Sequence, residues 1–309
     1  MAGQVFPFAQ RLSLTDTAWA PSFARGRICA PERWPRIDGY DIERQVGEGR
    51  TSVAYLARDQ RGGGKLVLKV LRAEHAANKL RQISFLQEFA VPDAIRNPHV
   101  IRVHERVAGQ QHSHIAMEYL GGGDLARLTG CGLEADDALS LLRQAACALA
   151  HLHRQGYVHC DVKPANLLLR YSGDLVLADF GLARRLDDSC TKTRPGLIVG
   201  TPAYASPEQA EGALGGTAAD VYSLGIVFYE MLCGKTPFPG RTPIEVLCQH
   251  LMAPVPRLPQ HVAQCEPLLD AMLAKKAGNR LADGQALLER IDLLRGADRL
   301  NPPSGVMNR

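Results

Sequence analysis

The sequence predicts an α+β protein of two lobes, in which a small antiparallel-sheet lobe precedes a larger, mainly helical lobe. Short β-rich runs separated by glycine-containing turns fill residues 40–119. After Gly121, apolar residues recur at helical spacing. Residues 217–232 are apolar almost all round, which a helix tolerates only when it is buried on every side.

The composition is that of an ordinary globular protein, with 309 residues, 46% hydrophobic and 22% charged. A formal net charge of +4 is too small and too evenly spread to indicate a nucleic-acid partner. Asp16 and several polar residues precede any long apolar run, and no apolar run reaches about 18 residues, so we expect no secretory signal, no direct membrane insertion and a cytoplasmic location. Eight cysteines without a Cys-x-x-Cys pair indicate free thiols in a reducing compartment.

Four units follow from these patterns. Residues 1–38 contain four prolines and no useful periodicity, which indicates an irregular N-terminal extension. Residues 39–120 form the first lobe and residues 121–296 the second. Residues 297–309 are expected to be a loose tail.

Each lobe has its own set of elements. In the first lobe, strands are predicted at residues 40–46, 53–58, 65–71, 100–107 and 114–119. A polar helix should follow the third strand at residues 76–95, with Pro92 kinking or ending it early. In the second lobe, helices are predicted at residues 139–152, capped by Gly156, and at 217–232, ended by Gly234. Two more are expected, around residues 267–275 and 283–294.

Two features of the first lobe suit a phosphate group. Gly47 and Gly49 lie between the first two strands, where bare backbone amides are open to an anion, although a plain hairpin would use the same glycines. Lys69 stands mid-strand among apolar neighbours, so its ammonium needs either an anion or the solvent of an edge strand. Glu88 on the following helix is the candidate partner.

The strongest signal is the run HCDVKPAN at residues 159–166, followed by DFG at residues 179–181. Asp161 can orient a hydroxyl and accept its proton, and Lys163 can neutralise a moving phosphoryl group. Asn166 and Asp179 offer hard oxygen ligands for Mg²⁺. These are the parts that phosphoryl transfer requires.

These motifs resemble those of the eukaryotic-like protein kinases, in particular the bacterial serine/threonine (Hanks-type) kinases, over about residues 40–295. The resemblance implies the bilobal protein-kinase fold. It also implies that Asp161 is the catalytic aspartate, that Lys163 is the lysine typical of the Ser/Thr branch, and that Asn166 and Asp179 bind the metal.

The resemblance further implies a nucleotide site at the glycine turn. Lys69, paired with Glu88, would contact the α- and β-phosphates. Met117 resembles the gatekeeper, and residues 118–120 resemble the adenine-binding hinge. The implied nucleotide-binding residues are Val46, Gly47, Gly49, Ala54, Val67, Lys69, Met117, Glu118, Leu120, Asn166, Leu168 and Asp179.

Residues 200–208, GTPAYASPE, resemble the end of a kinase activation segment. There, Thr201 would touch Asp161 and Lys163, and Glu208 would pair with Arg280. This block favours a protein substrate over a sugar or an antibiotic.

Two further interpretations have alternatives. Asp220 resembles a buried aspartate of the family, but a solvated carboxylate at the start of a helix is also compatible with its position. Ser189, Thr191 and Thr193 are candidates for autophosphorylation, but a solvated Ser/Thr-rich loop has the same composition.

Four positions depart from the family pattern. Ser52 stands at the usual third glycine and Ala54 at the usual valine. Cys160 replaces the arginine that binds an activation-loop phosphate in many relatives, so we expect the usual activation switch to be absent. Pro92 stands one helical turn after Glu88, and if it unwinds the helix, the pairing of Glu88 with Lys69 fails and leaves an inactive resting state.

The resemblance implies an ATP-dependent serine/threonine protein kinase that uses Mg²⁺, or Mn²⁺ in its place, and acts on protein substrates including itself. A pseudokinase-like nucleotide-binding scaffold is the first alternative, motivated by Ser52, Cys160 and Pro92, although every charged catalytic position is intact. A small-molecule phosphotransferase is the second alternative, and residues 201–208 argue against it.

Overall fold

The computed structural model describes residues 34–109, 111–187 and 201–300. Within these ranges an antiparallel sheet precedes a mainly helical lobe, which confirms the predicted α+β architecture. Most of the predicted N-terminal extension, residues 301–309 of the tail, and Ser189, Thr191 and Thr193 lie outside the described residues.

The first lobe is built on a five-stranded antiparallel sheet with the order β1-β2-β3-β5-β4. Its strands are β1 (Tyr40–Glu48), β2 (Ser52–Asp59), β3 (Lys65–Leu71), β4 (Val103–Val107) and β5 (His114–Glu118). One face places Val67 and Leu71 in the main core, and the opposite face packs against Trp34 and Ile37. Because β3 lies at the centre of the sheet, Lys69 is not an edge-strand lysine.

The prediction of one helix over residues 76–95 is wrong, because residues 73–94 are divided among three short helices. They are α1 (Ala73–Ala76), α2 (Lys79–Gln87) and α3 (Ala90–Ala94). The side chain of Asn78 accepts the N–H of Arg81 and begins α2, and Glu88 is its C-cap residue. Pro92 is the third residue of α3, where a backbone N–H has no partner within the helix, so the ring costs that helix no hydrogen bond.

The second lobe is mainly helical. Its helices are α4 (Ala126–Thr129), α5 (Ala135–Arg154), α6 (Pro207–Ala210), α7 (Thr217–Cys233), α8 (Pro243–Met252), α9 (Glu266–Leu273) and α10 (Gly284–Leu300). Gly156 and Gly234 follow α5 and α7 with φ values of +79° and +73°, as expected of C-terminal glycines. Helix α7 is buried over most of its length. Helix α8 was not predicted, and α10 continues past the predicted boundary at residue 296.

The second lobe also contains two small antiparallel ribbons. Strand β6 (Tyr157–Val158) pairs with β9 (Arg184–Arg185), and β7 (Leu167–Leu169) pairs with β8 (Leu175–Leu177). Short 3₁₀ turns lie at Pro164–Asn166, Pro202–Tyr204, Gln260–Cys265 and Ala277–Asn279. The β7–β8 hairpin brings the residue before it, Asn166, beside Asp179, because the Ala178 N–H donates to the Asn166 carbonyl at 2.9 Å.

The six cysteines of the described ranges are all free thiols, as expected. Cys131 and Cys248 are exposed, whereas Cys160 and Cys265 are buried. Over the same ranges, none of the helices combines the length and the apolar character needed to cross a membrane.

Candidate active site

A cleft lies between the sheet of the first lobe and the β7–β8 hairpin. The predicted nucleotide-binding residues that line it are Gly47, Gly49, Ala54, Val67, Lys69, Met117, Asn166, Leu168 and Asp179. Its apolar walls come from both lobes, with Ala54 and Val67 on one side and Leu168 on the other. Walls of this kind suit a flat heterocycle, and the charged residues of the lining are Glu48, Lys69 and Asp179.

Three predicted nucleotide-binding residues do not line the cleft. Val46 and Leu120 are buried, at 4% and 1% exposure, in the hydrophobic core. The Glu118 carboxylate forms an ion pair with Arg170 at 2.9 Å and accepts the backbone N–H of Arg102 at 2.8 Å. Any contact from Glu118 or Leu120 to a nucleotide would therefore come from the backbone.

Lys69 and Glu88 form an ion pair in the cleft, with Nζ and Oε2 2.8 Å apart. The Lys69 ammonium also lies 4.9 Å from the centre of the Phe89 ring. Pro92 does not unwind the helix that carries Glu88, so the pairing does not fail: α2 ends before Pro92 and presents Glu88 at its C-terminus. The lysine is therefore held in place, with its ammonium facing the cleft.

Asp161 is fixed by three neighbours. Lys163 Nζ donates to Asp161 Oδ2 at 2.5 Å and to Thr201 Oγ1 at 3.0 Å, and Thr201 Oγ1 donates to Asp161 Oδ1 at 3.2 Å. Asn166 Nδ2 donates to the Asp161 carbonyl at 2.8 Å and to its Oδ2 at 3.2 Å. The contacts predicted for Thr201 are thus present, and together with those of Lys163 and Asn166 they hold the Asp161 carboxylate in one orientation.

Asp179 and Asn166 supply the donors that a divalent cation requires. Because Asn166 uses its amide nitrogen on Asp161, its carbonyl oxygen is the atom left for a cation. Asp179 adopts a left-handed backbone with φ of +58°, and its Oδ1 accepts the Gly181 N–H at 3.3 Å. One carboxylate plus one amide oxygen fits Mg²⁺, which keeps waters and completes its shell with substrate phosphates.

Asp220 binds the backbone of the two residues that precede Asp161. It is 1% exposed, accepts the backbone N–H groups of His159 and Cys160 at 2.7 and 2.8 Å, and contacts His153 Nε2 at 2.9 Å. Burial works to raise the pKa of this carboxyl, but the hydrogen bond and charge of His153 and the N–H of His159 outweigh it and lower the pKa. The alternative of a solvated helix-start carboxylate is wrong, and Asp220 stabilises the left-handed conformation of Cys160, whose φ is +66°.

The Cys160 side chain is a packing group. It is 6% exposed, and burial, with the nearby charge of Asp220, raises the pKa of its thiol to about 12. At neutral pH the group is therefore a neutral thiol next to Asp161 in the chain.

The end of the activation segment is anchored to the helical lobe. Arg280 donates to both oxygens of Glu208, at 2.7 and 2.6 Å, as predicted. The guanidinium is fully buried, and it also donates to the carbonyls of Ala218, Ala274 and Lys275. This pair fixes the chain that follows Thr201.

Six residues that line the cleft are missing from the sequence-based set. They are Glu48, Ser52, Phe89, Ile101, Ala165 and Ala178. Ser52 carried a signal, since it stands where a third glycine was expected. Phe89 and Ile101 carried none, because apolar residues in such runs look like ordinary core.

Comparison with known proteins agrees with this geometry. The sequence profile of the protein kinase domain matches residues 40–290. The chain is 36% identical over 284 residues to the Corynebacterium efficiens protein named serine/threonine-protein kinases drp72, covering 89% of this chain and 54% of that protein. It is 33% identical to the serine/threonine-protein kinase PknB of Mycobacterium leprae, over 84% of this chain and 43% of that protein. It is 32% identical to the serine/threonine-protein kinase PrkC of Bacillus subtilis, over 86% and 42%. The chain thus spans about half the length of these relatives.

Proposed function

The chain belongs to the protein kinase family, and on that basis we propose that it transfers the γ-phosphoryl group of ATP to serine or threonine hydroxyls of proteins. The observation that carries this proposal is the contact network around Asp161, in which Lys163, Thr201 and Asn166 all bind the same residue. Such a network serves little purpose in a protein that only binds nucleotide, because it orients a base rather than a ligand.

Each side chain has a role in the transfer. Lys69, fixed by Glu88, neutralises charge on the α- and β-phosphates. Asp161 orients the attacking hydroxyl and accepts its proton, while Lys163 lies where charge develops on the phosphoryl group. Asn166 and Asp179 would hold Mg²⁺, which when bound supplies positive charge at the phosphates.

A protein substrate is supported by the anchored segment that follows Thr201. Thr201 binds the catalytic aspartate, and Glu208 binds the buried Arg280, so the chain between them forms a fixed surface beside the acceptor position. We propose Ser189, Thr191 and Thr193, which lie between Asp179 and Glu208 in the sequence, as sites of self-phosphorylation. The free thiols support a cytoplasmic location.

The pseudokinase alternative has no support from the described residues. Every charged group that the reaction needs is present, and Lys69, Asp161 and Lys163 each contact the expected partner. The departures at Ser52, Cys160 and Pro92 leave these contacts intact.

The test is transfer of labelled γ-phosphate from Mg-ATP to the chain and to a generic protein, with the labelled amino acids identified by mass spectrometry. We expect phosphoserine or phosphothreonine, lost in Asp179→Asn. Label on tyrosine alone, or transfer only to a small molecule, would contradict the proposal. A chain that ATP stabilises against heat without any transfer would restore the scaffold alternative.

A further inference from the structure

Arg72, the residue that follows β3, binds the glycine turn between β1 and β2. The Arg72 guanidinium forms an ion pair with the Glu48 carboxylate, and its Nε donates to the Gly49 carbonyl at 3.0 Å. The Arg72 backbone N–H donates to the Thr51 carbonyl, also at 3.0 Å. Arg72 therefore contacts three residues of the turn, Glu48, Gly49 and Thr51.

The turn is closed internally at the same place. The Gly49 N–H donates to the Ser52 carbonyl at 2.8 Å, and Ser52 is only 4% exposed. Ser52 stands where a more mobile glycine was expected. The contacts of Arg72 therefore act on a turn that is already short and compact.

Glu48, Gly49 and Ser52 line the cleft, whereas Arg72 does not. Arg72 touches the cleft only through the turn. We infer that Arg72 is a positioning residue, which holds the glycine turn in the conformation that covers the phosphates of the bound nucleotide. This inference rests on the proposed function.

The physical reason is the cost of ordering a loop. A free glycine turn must lose conformational entropy when it closes on phosphates, and that loss weakens binding. A turn that is already held by a charged hydrogen bond and an ion pair has lost most of that freedom before the nucleotide arrives. The effect should be confined to ligands that carry phosphates, since the apolar lining residues Val67, Met117 and Leu168 are not part of the turn that Arg72 contacts.

The sheet supplies a matched control. Arg58 also bridges a glutamate and a glycine carbonyl, with Nη2 3.0 Å from Glu43 and Nη1 2.9 Å from the Gly63 carbonyl. This bridge lies at the β2–β3 turn, and neither Arg58 nor its two partners line the cleft. Arg58→Ala therefore removes the same kind of contact far from the phosphates.

The experiment measures the affinities of ADP and of adenosine by calorimetry. We expect Arg72→Ala to weaken ADP about three- to tenfold while adenosine stays within about twofold, and Arg58→Ala to change neither. Glu48→Gln distinguishes positioning of the turn from a simple charge effect. If only charge matters, removing a negative charge near the phosphates raises the affinity for ADP; if the turn is released from Arg72, the affinity for ADP falls. We expect weakening.

Several results would overturn the inference. Equal loss of ADP and adenosine affinity in Arg72→Ala would mean general structural damage, and no loss of either would mean that the turn needs no support. A higher affinity of Glu48→Gln for ADP would mean that the charge of Glu48, and not the position of the turn, controls binding. An unaltered chain that binds neither ligand would contradict the proposed function itself, and this failure is visible without any variant.

Discussion

Lys69 Nζ lies 2.8 Å from Glu88 Oε2, although Pro92 stands one helical turn further along the chain. The pair survives because the helix that carries Glu88 ends at that residue, and a separate helix holds Pro92 in its first turn. A break between two helices is thus compatible with a fully assembled cleft. In the described residues the Lys69–Glu88 pair is already formed and needs no realignment of this helix.

We therefore expect Pro92→Ala to leave kcat and the KM for ATP within about twofold of the unaltered chain, because the ion pair is already formed. Steady-state kinetics of peptide phosphorylation checks this. An increase of tenfold or more would contradict it and show that Pro92 holds the enzyme in an inactive state.

Thr201 links Lys163 to Asp161 through one hydroxyl, which accepts from the first and donates to the second. Thr201→Val removes both hydrogen bonds with little change in shape. We expect kcat to fall about tenfold with the KM for ATP unchanged, because Thr201 does not line the cleft. Thr201→Ser should restore most of the rate, and equal losses in the serine and valine variants would contradict a role for the hydroxyl.

The motif-bearing part of the site was predictable because its residues are close in the sequence or match a family signature. Asp161, Lys163 and Asn166 lie within one short loop, and the pairing of Glu208 with Arg280 followed from the resemblance. Arg72 could not be found in this way. Its contacts depend on the register that sets Ser52 opposite Leu71, and no local pattern reveals that register.

The helices show the same division. The ends of α5 and α7 were predicted because Gly156 and Gly234 take the left-handed conformation that terminates a helix. The stretch over residues 76–95 was predicted as one helix because its composition is compatible with a helix and Pro92 is its one obvious helix breaker. The stretch is split into separate helices by the N-cap at Asn78 and by Pro92 in the first turn of α3. A proline in the sequence does not by itself show whether a helix ends before it or begins just ahead of it.

The buried ion pair between Arg280 and Glu208 should contribute to stability. Glu208→Gln leaves a fully buried guanidinium without its counter-charge, so we expect a loss of about 3–5 kcal/mol in the free energy of unfolding. The control is Asp292→Asn, which breaks an ion pair between two exposed side chains, since Arg143 is 45% and Asp292 53% exposed. This variant should lose less than about 1 kcal/mol of unfolding free energy. Urea denaturation compares the two variants, and similar losses would contradict the argument from burial.

The raised pKa of Cys160, about 12, predicts an inert thiol. Below that pH the group is protonated, and the thiolate that reacts with alkylating agents appears only as the pH approaches the pKa. At pH 8, iodoacetamide should label the exposed Cys131 and Cys248 in the native protein and leave Cys160 unmodified, as read by peptide mass spectrometry. Labelling of Cys160 at the rate of Cys131 would contradict both its burial and its pKa.

The central claim is that Asp161 acts as the base in phosphoryl transfer, and the most direct measurement compares turnover with nucleotide affinity in Asp161→Asn. The substitution keeps the shape of the side chain and removes its charge, so we expect kcat to fall by about 10²–10⁴ while ADP affinity stays within about threefold. Asp136→Asn, at the exposed start of α5, serves as the control and should change neither quantity. Turnover of Asp161→Asn equal to that of the unaltered chain would contradict the account.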